Sequence, residues 1–307
     1  MGFEIHKNAL IALAAAASWG GGDFSGGMGV KAAGGRVPGA IRFVILAHAI
    51  SLSLLLATLW GQHAVLPHGA PVLWAMVGGV TGSLGVVAFY MALSRGGMGV
   101  SAAVSGLLAA AIPAVVSSWM EGAPGAMRLA GFVLAGGAIW LIAAGDSPES
   151  VGESSSTMVL SIFAGVAFGI YFVALKMASP LGLVMPMAIA RASSITLCLL
   201  ILAVMGLAGS RSQPQPTPKT QNVGHPGQWF RKTVLWWAAG VALLDTGGNM
   251  LFLVAARLGR LDVASVVASL YPAGTILLAA WYLKEQPTRR QAAGMIAALA
   301  AVVMITL

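Results

Sequence analysis

FLVAARLGRLDVASVVASLYPAGTILLAAWYLKEQPTRRQAAG, running from Phe252 to Gly294, decides how this chain folds. An apolar segment ends at Arg257 and a short polar turn follows. A second apolar segment, of small and branched residues, carries Pro272. It closes on the polar junction Lys284-Glu285-Gln286-Pro287-Thr288-Arg289-Arg290, and Gly294 lies a short step into the next apolar run. The stretch from Phe89 to Gly131 repeats this order. A shift of 163 residues pairs Phe89 with Phe252, Ala92 with Ala255, Gly96 with Gly259, Val100 with Val263, Val104 with Val267, Leu107 with Leu270 and Ala110 with Ala273. One extra residue before the junction brings Glu121 onto Glu285, and a loop one residue shorter restores Gly131 on Gly294. Apolar helices share residues by chance. The shared order of turn, proline-bearing span, glutamate junction and glycine is the stronger sign of an internal duplication.

Composition sets the class. Of the 307 residues 58% are hydrophobic and 8% charged, and the mean hydropathy is +0.87. A soluble domain carries roughly a quarter charged residues, so this chain has too little polar surface to cover a water-soluble globule. It reads as an all-α, polytopic membrane protein. The 40 glycines suit helices that approach closely in lipid. The net charge of +8 sits mostly in short loops, where it sets topology and meets anionic headgroups rather than nucleic acid. The single cysteine, Cys198, lies in an apolar run and cannot form an intrachain disulfide. The first apolar run is long and has no tidy cleavage site, so it reads as a retained helix.

A span needs about 20 mostly apolar residues. Ten candidates follow: 9–30, 38–60, 71–94, 99–119, 127–145, 157–178, 184–208, 233–256, 263–283 and 290–307. The acidic, serine-rich 146–156 separates a first five-helix repeat (1–145) from a second (157–307), and the proline- and glutamine-rich 210–232 reads as a mobile inserted loop. Five helices is an odd number, so the second repeat enters the membrane from the opposite side. Such inverted repeats place a site near the midplane between them. One set of loop ends holds Lys31, Arg36, Arg95, Arg211, Lys219, Arg231, Lys232, Lys284, Arg289 and Arg290; the other holds Lys7, Arg128, Lys176, Arg257 and Arg260. Loop charge alone would put the first set in the cytoplasm and both termini outside.

Ionisable groups inside spans are costly and mark function. Asp23 lies in the first span and Asp245 near the middle of the eighth; Arg42 is near the start of the second and Arg191 is inside the seventh. A buried carboxylate can take and release protons near neutral pH, as proton-coupled transport requires. The plainer use of each carboxylate is to neutralise an arginine, with Asp23 facing Arg42 and Asp245 facing Arg191. The arginines could instead hold an anionic group of a substrate. Trp19 shares a helix face with Asp23, and Asn249 with Asp245, each pair four residues apart. Trp19, Tyr90, Tyr171 and Tyr271 are candidates to line a cavity, although anchoring and packing are the commoner uses of such rings. His48 suits a hydrogen-bonded core histidine better than a ligand. Pro113 and Pro272 fall in matching spans, where a proline frees a carbonyl and offers a hinge. No metal-ligand spacing appears, and no cofactor is implied. Gly97-Met98-Gly99-Val100-Ser101-Ala102 fits GxGxxA only formally, since no strand precedes it. No GxSxG or other nucleophile pattern points to an enzyme.

These features together resemble the EamA family of the drug/metabolite transporter superfamily. The resemblance rests on Trp19-Gly20, echoed by Phe168-Gly169, and on an arginine early in the second span of each repeat, Arg42 and Arg191. It rests also on the proline-bearing span closing on Leu283-Lys284-Glu285-Gln286-Pro287-Thr288 and then Gly294, with Met120-Glu121-Gly122-Ala123-Pro124 as a degraded counterpart. It covers nearly the whole chain. It implies ten helices in two inverted repeats, with a central cavity lined by the first four helices of each. It implies export or exchange of small metabolites, often amino acids or drug-like compounds, commonly driven by protons or the substrate gradient. It implies both termini in the cytoplasm, the reverse of the loop-charge assignment. Asp23 and Asp245 are not carried over from the family.

The expectation is a secondary transporter, an exporter of small molecules in the inner (plasma) membrane, working by alternating access with protons as the coupling ion. Substrate and lipid are its partners, nucleic acid is not, and a homodimer stays open. Asp23 and Asp245 would bind a proton or a cationic group, Arg42 and Arg191 would supply countercharge or hold an anion, and Trp19, Tyr90, Tyr171, Asn249 and Tyr271 would line the pocket. A lipid-carrier flippase and a non-transporting sensor or scaffold are the alternatives.

Overall fold

The computed structural model describes residues 2–94, 98–143, 155–211, 231–282, 284 and 288–306. All regular structure among them is helical: α1 (Gly2–Ala32), α2 (Val37–Gly61), α3 (Ala70–Ser94), α4 (Met98–Glu121), α5 (Ala126–Ala143), α6 (Ser155–Ala178), α7 (Val184–Arg211), α8 (Lys232–Leu258), α9 (Leu261–Ala268), α10 (Tyr271–Tyr282) and α11 (Arg289–Thr306). A 3-10 turn, Ser179–Leu181, joins α6 to α7. The expected linker 146–156 and loop 210–232 lie, apart from their edges, outside the described residues, as do residues 285–287 of the glutamate junction.

Among the described residues, six stretches are long and apolar enough to cross a membrane: Val37–Gly61, Ala70–Leu93, Ser156–Leu181, Val184–Leu207, Lys232–Leu258 and Leu261–Tyr282. Val104–Met120 and Ala126–Leu141 are shorter apolar helices. The exterior is apolar too, with Leu10, Leu56, Trp119, Val133 and Trp140 more than half exposed. Lipid is the solvent that makes such a surface stable, because every backbone polar group is satisfied within a helix. The chain is a multi-pass membrane protein.

The expected ninth span is two helices. Ser269 N–H bonds the Ser265 carbonyl (2.9 Å), Leu270 N–H tightens onto Val267 (3.2 Å), and α10 begins at Tyr271. Pro272 explains the break. It has no N–H to give the carbonyl four residues back, and its ring crowds that position. Pro113 sits inside an uninterrupted α4, so the two matching prolines do different work: one divides a span and the other is absorbed by one.

Packing runs between the two halves of the chain. α1 lies along α8 and against α9 and α10; α3 and α4 lie along α6; α2 meets α7, and α5 meets α11. Small residues set these distances. A Cβ at Gly20 would come within 2.8 Å of the Gly274 backbone, and one at Gly79 within 2.2 Å of the Ala190 carbonyl oxygen. Both backbones are rigid helix, so neither can yield locally. Gly79→Ala should therefore push α3 from α7 and lower stability by about 1–3 kcal/mol. Gly27→Ala, where a Cβ meets nothing within 4 Å, should be neutral or gain up to about 1 kcal/mol from the lost glycine entropy. Thermal unfolding in detergent compares the two.

Candidate functional site

A cavity opens at mid-depth between the two halves. Its walls are Trp19 and Asp23 of α1, His48 of α2, Phe168, Tyr171 and Phe172 of α6, Arg191 and Ser194 of α7, Asp245 and Asn249 of α8, and Tyr271 of α10. The floor is α3, where Gly78, Gly79 and Gly82 present backbone instead of side chains. The space between atoms is about 550 Å³, but only about 50 Å³ of it is open to water. A single water needs roughly 10–15 Å³ by that measure, so this conformation holds a few waters and not a metabolite.

One hydrogen-bonded chain crosses the cavity. Arg191 Nη2 donates to Asp245 Oδ2 in a buried ion pair and to Thr246 Oγ1 at 3.2 Å. Arg191 Nη1 meets His48 Nε2 at 2.9 Å, and His48 Nδ1 meets Ser194 Oγ at 2.6 Å. An arginine can only donate. His48 Nε2 must therefore accept, which places the imidazole proton on Nδ1, facing Ser194. Beyond Asp245 the chain continues through Asn249, whose Nδ2 donates to Oδ2 at 3.2 Å and whose Oδ1 accepts from Trp19 Nε1 at 3.2 Å. Thr246 in turn meets Ser51 Oγ at 2.6 Å. Helical spacing does the local work. Arg191 and Ser194, like Asp245 and Asn249, are one turn apart and share a face.

Two features leave the network incomplete. Arg191 Nε is buried without a hydrogen-bond partner, and Asp23 lines the cavity with no hydrogen bond or ion pair to another described residue. Arg191 and Asp245 cancel, so an ionised Asp23 leaves the cavity with one uncompensated negative charge. Around it stand aromatic faces. Trp19 stacks on Phe172 with centroids 5.1 Å apart, and both touch Phe252, at 5.7 and 4.6 Å.

Of the residues singled out in the sequence, Trp19, Asp23, Tyr171, Arg191, Asp245, Asn249 and Tyr271 come together here. Arg42 does not; it is exposed on α2 and outside the lining, so it does not face Asp23 across the cavity. Tyr90 is buried, but its ring packs where a Gly26 Cβ would stand and against Phe89, not on the cavity. Tyr271 donates to or accepts from Ser105 at 3.1 Å. Pro113 and Pro272 are buried away from the lining. Sequence reading passed over Ser51, Ser194 and Thr246, because a hydroxyl in an apolar helix ordinarily bonds its own preceding turn. Gly78 and Gly82 read in the sequence only as a small-residue pair for close helix contact, a pattern that does not tell packing from cavity lining.

Residues 155–307 match the family model described as the EamA-like transporter family. This half of the chain belongs to that family. The EamA-like half contributes Arg191, Ser194, Asp245, Thr246 and Asn249, and the preceding half answers with Trp19, Asp23, His48 and Ser51. One solved crystal structure shares the fold, with a TM-score of 0.69 over 97% of this chain and 95% of that one, at 16% identity. Comparison with curated proteins gives no match.

The pair at the centre of the network is testable. Asp245→Asn strands a buried guanidinium and should cost about 3–5 kcal/mol. Adding Arg191→Gln should recover part of that loss. Strictly additive effects in a thermal-unfolding cycle would show that the two groups are not coupled.

Proposed function

We propose that this EamA-like membrane protein is a secondary transporter of the drug/metabolite type. It exports amino-acid-like or drug-like small molecules across the inner membrane by alternating access, with protons as the coupling ion. The observation that carries the reading is Asp23: a carboxylate without a countercharge, in an aromatic-walled cavity that both halves of the chain build. Such a group can hold either a proton or the cationic group of a substrate, and exchange of one for the other couples two movements. Asp245 fixes Arg191, and Arg191 keeps one donor, Nε, for an oxygen of the passenger. Trp19, Tyr171, Tyr271 and Asn249 shape the pocket.

Helix neighbours support the ten-span, inverted-repeat reading. Let α1 to α5 correspond to α6, α7, α8, α9 with α10, and α11. Exchanging partners then turns the α1–α8 contact into α6–α3, α1–α9 and α1–α10 into α6–α4, and α2–α8 into α7–α3, while α2–α7 and α5–α11 map onto themselves. Each of these contacts is present. A two-fold relation of this kind gives two equivalent rocking positions about a midplane site.

The experiment is metabolite profiling of cells and medium with the wild type or Asp23→Asn at equal membrane levels. The wild type should move one class of small molecule to the medium, faster when the medium is more acidic, since protons entering drive the exchange. Asp23→Asn should cut release roughly tenfold, about 1.4 kcal/mol of lost coupling, and flatten the pH dependence. Unchanged release and pH response in the variant would remove Asp23 from the mechanism. No movement with either protein would favour a sensor or scaffold.

A further inference from the structure

At one end of the molecule, two helices from opposite halves cap each other. The last carbonyls of a helix and its first N–H groups have no partner within it. Arg260, just before α9, donates from Nη1 to the Glu121 carbonyl (3.0 Å) and from Nη2 to the Gly122 carbonyl (2.7 Å), both at the end of α4. In return the Glu121 carboxylate accepts the Leu261 N–H at the start of α9 (3.0 Å). Each charge meets the favourable dipole end of the partner helix, although it stands at the unfavourable end of its own. Gly122, at φ +86°, turns the chain so that α4's terminal carbonyls face the arginine.

Other groups hold the two keys in place. Ser117 Oγ donates to Glu121 Oε2 (2.7 Å). Lys176, at the end of α6, lies 3.5 Å from Glu121 Oε1 and donates to the Ala256 carbonyl at the end of α8. Fully buried Asp262 grips the Arg260 guanidinium through both oxygens (2.8 to 3.2 Å). Asn8 of α1 fits between the same segments. Turned to suit its neighbours, its amide donates to the Ala255 carbonyl (3.2 Å) and accepts from Arg260 N–H (3.3 Å). Every participant is at the same end of antiparallel helices: the start of α1, the ends of α4, α6 and α8, and the start of α9. They therefore lie on one face of the membrane.

This cluster stands between that face and the cavity. Asn249 in the cavity wall and Ala256 in the cluster are seven residues apart on α8, about 10 Å at helical rise. The gap is filled by the stack of Trp19, Phe172 and Phe252, the last fully buried. Toward the other face, Phe24 meets Trp237 and Tyr282 edge-on at 5.9 and 5.6 Å, so that contact is aromatic rather than charged. We propose that the reciprocal caps between α4 and α9, locked by Glu121 and Arg260 over the Trp19–Phe172–Phe252 plug, form the gate that closes the cavity on one face. The reading takes the cavity to be the transport site, but accessibility tests it without any flux.

A thiol reporter decides it. Ser83 lines the cavity and bonds only its own helix, at Val80. In the full chain with Cys198→Ala, Ser83→Cys is labelled with a membrane-impermeant maleimide applied to either face, using right-side-out and inverted vesicles. With the caps intact, labelling from the gate face should be the slower. Glu121→Ala should raise the rate from that face about tenfold, the effect of one lost hydrogen bond to a charged group, and leave the other face unchanged. Arg260→Lys keeps the charge but cannot reach Asp262 and both carbonyls together, so it should give a smaller rise. It decides the matter if Glu121→Ala does not fold. Arg128→Gln removes a charge from the same face outside the cluster and should change nothing. Equal labelling of the reporter protein from both faces, or no rise in the folded gate variants, overturns the gate. Failure of the flux experiment with a positive labelling result would instead overturn the transport reading and leave the closure standing.

Discussion

The Arg191–Asp245 pair is the constraint on which the interior depends. A lone charge in the hydrocarbon layer is strongly disfavoured, and two opposite charges in contact are tolerated only when their remaining hydrogen-bonding capacity is used. Here α7 and α8 bring the pair together, and the spare capacity is met by His48, Thr246 and Asn249, with Arg191 Nε the exception. His48 and, through Asn249, Trp19 belong to the other half of the chain. The pair thus holds the two halves to one geometry. His48 has its tautomer fixed by a donor that cannot accept, which turns its Nδ1–H toward Ser194.

Around this polar thread the structure depends on absence of bulk. Glycines at the α1–α10 and α3–α7 crossings let backbones approach to distances that a methyl group would forbid. On α3 the same economy lets Tyr171 of α6 and Ala190 of α7 pack directly against Gly78, Gly82 and Gly79 beside the cavity. Aromatic rings supply the opposite, large rigid walls at small entropic cost. Asp23 sits where floor, rings and ion pair meet. It is the one carboxylate of the cavity whose charge the surrounding described residues leave unbalanced.

The two ends of the bundle are held by different forces. At the α4–α9 end, charged groups satisfy helix termini of the opposite half, and such bonds are directional: they are made in one arrangement and lost in any other. At the Phe24–Trp237–Tyr282 end, rings slide over one another with less penalty.

The sequence by itself determined the class, the helix positions and the rare polar groups. Twenty-residue apolar runs have one stable solution in lipid, and ionisable residues within them are too costly to be incidental. Asp23, Arg191 and Asp245 were legible for that reason, and Trp19 and Asn249 because each lies four residues from one of the carboxylates. The break at Ser269–Leu270 was half legible, since Pro272 was visible but Pro113, in a matching span, leaves its helix whole. The tertiary structure alone decided which charges meet. Arg42 looked as eligible for Asp23 as Arg191 did for Asp245, yet it faces outward, because the rotation of a helix about its axis is set by packing rather than by depth. The hydroxyls of Ser51, Ser194 and Thr246, and the exchange of caps between Glu121 and Arg260, join residues about 140 or more positions apart. Local spacing carries no information about such contacts, and only the meeting of the two halves creates them.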